Sequence, residues 1–291
     1  MSDLLDISPE VADALARSKP IVALETSIVG QGLPDPYNLR AARESEAAIR
    51  EEGAVPATVA VMDGRLHVGL TDADLQRIAA GAIKVSSRDL GWAIGRGAIG
   101  ATTVAATMRA AAMAGIRFFA TGGIGGVHRG RPEDQSADLV ELSRTPVAVF
   151  CAGAKIILDL ALTIERLDSL AVPVLGYGCD EFPAFYSKTS GCPLSSRVDT
   201  PEETARVLRA AWTTGSNGIV VAVPPPAELE DAEGLVQRAV RELADVSGSN
   251  LTPRLLARVA ELSSGRSLEL NVDLVVNNAR VAARVASAFF G

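Results

Sequence analysis

Two rhythms alternate along the chain: short runs rich in Val, Ile and Phe, and longer segments whose apolar positions fall three and four apart. They are the signatures of strand and helix. The first helical segment is "EVADALARSK", with Ser8 placed to cap it, Pro9 suited to its first turn and basic residues at its end. A strand is predicted over 20–30, "PIVALETSIVG", and a helix over "NLRAARESEAAIREEG", closed by Gly53. Residues 57–70, "ATVAVMDGRLHVGL", read as two strand runs around Asp63-Gly64, a hairpin signal. Thr71 is placed to cap "DADLQRIAAG", and "TTVAATMRAAAMAG" (102–115) reads as an Ala-rich helix stopped by Gly115.

Next comes "IRFFATGGIGG", a strand running into glycines. Three strand-helix units follow: "VAVFC" into "AKIILDLALTIERL", "VPVLGYG" through a long loop into "PEETARVLRAAWTTG", and "GIVVAV" into "DAEGLVQRAVRELADV". The end is helical, "TPRLLARVAELSSG" and then "SLELNVDLVVNNARVAARVASAFF". Strands alternating with helices, with a hairpin among them, predict an α/β fold: a mixed, largely parallel sheet covered on both faces. No internal repeat, low-complexity tract or Pro/Ser-rich linker divides the chain, so residues 1–291 read as a single domain.

Composition narrows the function. Lys and Arg number 28 against 35 Asp and Glu, a net charge of −7, which argues against nucleic acid as the main partner. A small anion remains an eligible ligand. No run reaches the roughly 18 apolar residues of a membrane span, and the N-terminus has no basic stretch leading into an apolar one. A cytoplasmic protein is expected. Cys151, Cys179 and Cys192 form no C-x-x-C pair, against both a disulfide scaffold and a cysteine zinc site.

Several chemistries drop out. "GGIGGVHRG" (122–130) has His128 where a third dinucleotide glycine would fall, and it is not a G-x-x-x-x-G-K-[ST] phosphate loop. There is no G-x-S-x-G and there are only two histidines, so serine-triad and two-histidine zinc chemistry lack support. What "TGGIGGVHRG" offers is bare backbone at a strand end, where amides can approach an anion and His128 and Arg129 add donors. A tight turn needing positive φ explains the glycines equally well.

Glu25 stands in the otherwise apolar and small "VALETSIVG". Buried there, its pKa would rise, as suits a general acid or base; a strand-end carboxylate capping a helix is the plainer alternative. Lys84 of "IKVSSRDL" reads alone as a surface lysine. Thr102, Thr103 and Val104 open a helix whose free amides favour a phosphate or carbonyl oxygen, or simply carry a threonine cap. Asp134, Ser136 and Asp138 of "EDQSADLVEL" (133–142) are hard oxygen ligands suited to Mg or Mn with several waters, or an acidic helix start. Lys155 and Asp159 are the two charged residues of "VAVFCAGAKIILDLAL" (147–162). A lysine withdrawn from water there has its pKa lowered from about 10.4, and the neutral amine attacks a sugar aldehyde carbon. The alternative is a lysine snorkelling from the first helical turn, a placement the helix dipole opposes.

The ordered series "ALETSIVGQGLP", "VPATVAVMDG", "KVSSRDL", "GATTVAATM", "FFATGGIGGVHRG", "SADLVELSRTPVAVFCAGAK", "DEFPAFY" and "NNAR" resembles the pseudouridine-5'-phosphate glycosidases, the indigoidine synthase A-like family, over almost the whole chain. The resemblance implies an αβα sandwich, a homotrimer and one Mn2+ per subunit. It implies reversible cleavage of the C–C glycosidic bond of pseudouridine 5'-phosphate, giving uracil and ribose 5-phosphate, with Lys155 as nucleophile and Glu25 as proton donor. By the same resemblance Lys84, Val104, Ser136, Ala137 and Asp138 contact substrate, Asp134 binds the metal, and His128 and Asn277 complete the pocket. Gln135, Ile156 and Val223 depart from the residues usual in that family, as does the approach to "DEF" in "GYGCDEF". A Schiff-base lyase acting on another C-nucleoside or phosphosugar, and a non-catalytic phosphosugar-binding protein, are the alternatives.

Overall fold

The computed structural model describes residues 4–243 and 251–291. Its principal sheet runs, edge to edge, Leu5–Ile7, Arg65–Val68, Val55–Met62, Ile21–Leu24, Phe118–Ala120, Ala148–Cys151, Ile219–Ala222, Val174–Tyr177 and Arg197–Val198. Every pairing from Val55–Met62 to Arg197–Val198 along that path is parallel. The antiparallel share comes from the hairpin Val55–Met62 with Arg65–Val68 and from Gly100–Thr102, which pairs with Val55–Met62 and carries Ile83–Val85 on its other side. At the hairpin tip Asp63 and Gly64 have φ of 51° and 75°, the two left-handed residues that this tight turn requires.

The central strands are apolar on both faces because both are covered. Val22, Leu24, Phe118, Ala120, Phe150 and Val221 share one core with residues of the helices Pro201–Thr213 and Arg266–Phe290. Their alternate neighbours Ala23, Phe119, Val149 and Val220 share another with the helices Val104–Met113 and Ala137–Leu142. Three layers follow from that alternation, as expected. A small second sheet, Leu158–Asp159, Val127–His128 and Arg131–Gln135, lies apart from the main one. Among the described residues no helix is long and apolar enough to cross a membrane.

Caps fall where the chain signals them. The Ser8 hydroxyl accepts from Val11 N at the start of Pro9–Ala16, and Thr71 forms a reciprocal capping box with Asp74 before Asp72–Ala79. Three expectations shift. The strand predicted over 20–30 ends at Leu24, and Ile28–Gly32 winds into a wide helical turn. The helix expected right after "VAVFC" begins only at Leu160, capped by the Asp159 carboxylate. Arg131–Gln135 is a strand, so Asp134 is not at a helix start. The last residues of "VRELADV" and the start of "TPRLL" lie outside the described residues or at their edge.

Candidate active site

Ile21–Leu24, Phe118–Ala120 and Ala148–Cys151 are neighbouring parallel strands, so their carboxyl ends open side by side. From Ile21–Leu24 the chain crosses to Val55–Met62 on one side; from Phe118–Ala120 it crosses to Ala148–Cys151 on the other. Such a reversal leaves a crevice at the strand ends where α/β sheets hold ligands. Glu25 directly follows the first strand, Thr121 and the glycines follow the second, and Lys155 lies four residues past the third.

The loop that carries Lys155 is not the first turn of a helix. Past the regular ladder the chain stays paired: Ala152 N donates to Gly122 O at 2.9 Å, Ile124 N to Gly153 O at 3.1 Å and Lys155 N to Ile124 O at 3.1 Å. Gly153 permits this course, with φ of +79° and a position where a Cβ would lie 1.9 Å from Pro183 O. The helix-dipole argument against a structural Lys155 therefore does not apply. Tertiary pairing to the glycine run holds it instead.

Those glycines answer to close packing rather than to turn geometry. None of Gly122, Gly123, Gly125 and Gly126 has a positive φ. A Cβ on Gly123 would meet the Phe185 ring at 2.7 Å, one on Gly125 the Ser136 hydroxyl at 2.2 Å, and one on Gly126 the Thr163 hydroxyl at 2.3 Å. Part of the run's backbone is already committed within the chain. Gly125 N donates to Asp138 Oδ2 at 2.8 Å, Val127 N to Thr163 Oγ1 at 3.0 Å, and the Ile124 amide is already paired. Arg129, expected as a donor to a ligand, is committed to the Ile156 and Leu158 carbonyls at 2.9 and 3.0 Å and to Glu233.

Glu25 is 8% exposed. The Ser27 hydroxyl donates to one of its oxygens and the Thr121 hydroxyl to the other. Burial pushes its pKa above the usual carboxylate range; the Lys155 cation and the two hydroxyls oppose that rise, and the Asp138 carboxylate adds to it. Lys84 keeps solvent exposure on the strand Ile83–Val85. Protein packed around its end withdraws hydration, and with Lys155's charge this holds its pKa below the usual lysine range, against the pull of Asp138 and Glu25. Two carboxylates and two lysines thus sense one another across the crevice.

Asp138 is 5% exposed and uses both oxygens on backbone, Oδ1 accepting from Ala105 N at 2.9 Å and Oδ2 from Gly125 N. The Ala105 amide of the helix after Thr103 and Val104 is therefore filled by a carboxylate of the chain itself. Val104 is buried as the first residue of that helix. Ser136 caps Ala137–Leu142, its hydroxyl accepting from Asp138 N at 3.2 Å, with Ala137 as first helical residue. Asp134 stands apart on its strand, 45% exposed, its Oδ2 3.4 Å from His128 Nδ1; that ring nitrogen also lies 3.1 Å from Asp134 O.

Of the asparagine pair, Asn278 is the one with hydrogen bonds to the strand ends among the described residues. Its Nδ2 donates to Thr121 O at 2.8 Å and more weakly to Gly122 O at 3.4 Å. Asn271, Leu274, Val275, Asn278 and Ala282 are buried at helical spacing along Arg266–Phe290, while Asn277 falls off that stripe. That periodicity was available to sequence reasoning, which also passed over Ser27 in "ETS" and Thr121 in "ATGG" as partners of Glu25.

Residues 10–288 match the family model described as indigoidine synthase A like protein. The chain belongs to the indigoidine synthase A-like family. Within that family it is 50% identical to a pseudouridine-5'-phosphate glycosidase of Nocardioides sp., covering 99% of this chain and 97% of the relative. It is 56% identical to one of Rhodospirillum centenum, covering 99% and 93%. Among solved structures, an indigoidine synthase A-like protein from Thermotoga maritima superposes with a TM-score of 0.91 at 30% identity, over 99% of this chain and 97% of the other. The prealnumycin C-glycosynthase AlnA in complex with ribulose 5-phosphate superposes with a TM-score of 0.90 at 38% identity, over the same shares.

Proposed function

We propose that this chain cleaves, reversibly, the C–C glycosidic bond of pseudouridine 5'-phosphate to uracil and ribose 5-phosphate. One observation carries the mechanism: Lys155 and Glu25, set past the ends of nearby parallel strands, are coupled through their charges, with burial holding the carboxyl toward its acid form. A base leaving through carbon is a poor leaving group, so C1' needs an electron sink. With the ribose ring opened and C1' bonded to the Lys155 nitrogen, Glu25 protonates the base carbon. The nitrogen lone pair forms C=N as the C–C bond breaks. Water then hydrolyses the imine, returning the free amine and ribose 5-phosphate.

Lys84 serves the phosphorylated sugar, its own pKa held below the usual lysine range by burial and by the Lys155 charge. Ser136, Ala137, Asp138, Val104, His128 and Asn278 shape the pocket around them. The Asp134 carboxylate with the nearby His128 ring suits a hard, water-rich Mn2+; no cluster of three such donors exists among the described residues to cage one. Such an ion would supply positive charge to substrate oxygens through its waters. We further propose that the chain works as a cytoplasmic homotrimer. Exposed Ile83, next to Lys84, and Ile99, whose carbonyl accepts from Ile83 N, are apolar surface for a neighbouring protomer.

The test is incubation with pseudouridine 5'-phosphate and Mn2+, following uracil and ribose 5-phosphate by chromatography, beside Lys155→Ala. Release by the parent and none by the variant is expected; equal release by both would overturn the Lys155 mechanism. A second reading, a Schiff-base enzyme for another C-glycosidic bond, draws on the likeness to the C-glycosynthase. Borohydride trapping of a ribose 5-phosphate adduct without uracil release would favour it, and neither adduct nor release would favour a binding protein.

A further inference from the structure

Beside Glu25 lies a small, partly open cavity of about 20 Å³, room for one water. Glu25, Thr121, Ser45 and Thr58 contribute the polar side chains of its wall; Leu24, Ala41, Ala42 and Val275 are among the apolar ones. Ser45, on the helix Tyr37–Glu51, is 1% exposed, and its hydroxyl has no hydrogen-bond partner among the described residues. A buried hydroxyl is rarely left so. Thr58, also 1% exposed, sits opposite Leu24 in the parallel ladder and donates its hydroxyl to Glu46 Oε1 at 2.5 Å. Glu46 is half-buried, 18% exposed at its side chain, so its far side reaches solvent.

We propose that one water, held in this cavity by Ser45, joins Glu25 and its donor Thr121 to Thr58 and Glu46, and that this chain returns to Glu25 the proton given to the leaving base. The inference rests on the role of Glu25 proposed above. The Glu25 carboxyl is 8% exposed, and the cavity it lines brings Ser45 and Thr58 to the same space. When Glu46 is protonated the bond to Thr58 reverses: the Glu46 O–H gives its proton to the Thr58 oxygen, and the Thr58 hydroxyl, turned into the cavity, gives its own to the water. The water passes one to Thr121, whose hydroxyl proton goes to the Glu25 carboxylate. Each O–H bond broken is matched by one formed, and Glu46, left as a carboxylate, recovers a proton from solvent.

The surroundings of the two ends raise the pKa of both acids. Burial raises the Glu46 pKa, with Glu10 and Asp72 from neighbouring helices adding to the rise and the Thr58 hydroxyl and Arg50, 3.8 Å away, opposing it. Glu25 faces Lys155, Asp138, Ser27 and Thr121. Two acids with raised pKa values exchange a proton at little cost in driving force.

Thr58→Val, Ser45→Ala and Glu46→Gln test the chain, with Thr58→Ser as the conservative control. Thr58→Val and Glu46→Gln are expected to lower kcat about tenfold, a fraction of what general acid-base catalysis contributes, with KM and borohydride trapping by ribose 5-phosphate unchanged. Thr58→Ser restores kcat, and Ser45→Ala, which loosens the water, gives a smaller fall. Parent kcat in all four variants, while Glu25→Gln is inactive, would overturn the relay and leave the proposed reaction standing. Turnover retained by Glu25→Gln itself would overturn both. A fall in kcat that Thr58→Ser fails to rescue means packing rather than proton transfer and also counts against the relay; where Thr58→Val does not fold, the pH dependence of kcat in Glu46→Gln decides, an unmoved profile refuting it.

Discussion

Replacing Asp138 with asparagine keeps the side-chain volume and removes a negative charge where both carboxylate oxygens are already in use. Oδ1 accepts from Ala105 N at 2.9 Å and Oδ2 from Gly125 N at 2.8 Å, in a residue 5% exposed. Asparagine has one acceptor, so its NH2 must face one of the two N–H groups. Losing a hydrogen bond to a buried charged acceptor costs about 1.5–3 kcal/mol, and stranding its donor adds about 1 kcal/mol or more. Relief of the charge's own desolvation offsets part of this, leaving about 2–4 kcal/mol. At about 2 °C per kcal/mol for a chain of this length, the melting temperature falls by about 4–8 °C.

The same substitution has an electrostatic signature. The Asp138 charge raises the pKa of both Glu25 and Lys84, so removing it lowers both. If turnover needs protonated Glu25, activity is lost as pH rises through its pKa, and in Asp138→Asn that loss moves to lower pH. Differential scanning calorimetry at fixed scan rate and protein concentration, with a pH profile of uracil release, reads both effects. A melting temperature within about 1 °C of the parent, together with an unmoved alkaline limb, would refute the two-amide latch.

Other expectations follow from single contacts. Glu25→Gln should be inactive yet more stable than the parent above the ordinary carboxylate range: a raised folded pKa means the parent loses stability as pH climbs from the unfolded to the folded value, a loss Gln escapes. Melting curves at pH 4 and pH 8 check this, an equal shift at both being the contrary result. Gly153→Ala forces a left-handed alanine whose Cβ sits 1.9 Å from Pro183 O, a cost of about 3 kcal/mol or more; soluble yield and Tm should both drop. Arg129→Lys cannot hold the Ile156 and Leu158 carbonyls together. At about 1 kcal/mol per lost bond, kcat should fall about fivefold through the loop next to Lys155, read by steady-state kinetics. Thr71→Ala breaks the distant capping box and should cost about 1 kcal/mol of stability in urea unfolding, with kcat/KM unaltered.

Legibility in the sequence followed the range of the forces. The Ser8 and Thr71 caps, the Asp63-Gly64 turn and the alternation of strand and helix are settled within a few residues by hydrogen bonds and backbone sterics, and the structure carries each where the sequence puts it. The inward stripe that buries Asn278 and leaves Asn277 less covered was likewise local. Errors gathered at the strand ends. After Leu24 and after Cys151 the apolar pattern continues but regular structure stops, since pairing partners there come from distant loops: Ile124 to Lys155, Ala152 to Phe185.

The sequence by itself determined the layers, because period-two and period-3.6 burial need only the chain's own order to declare which faces must be covered. It also drew attention to Glu25 and Lys155, whose charges are conspicuous in apolar surroundings, while leaving a structural role for each equally open. Only the tertiary structure decided what those charges face. That Asp138 spends both oxygens on the Ala105 and Gly125 amides, that Arg129 is bound to Glu233 rather than free, and that glycines serve contacts to Phe185, Ser136 and Thr163 depend on segments far apart in sequence. The physical reason is range: desolvation and charge coupling are set by whatever fills the next few ångströms, and at the end of a parallel sheet that space is filled from elsewhere in the chain.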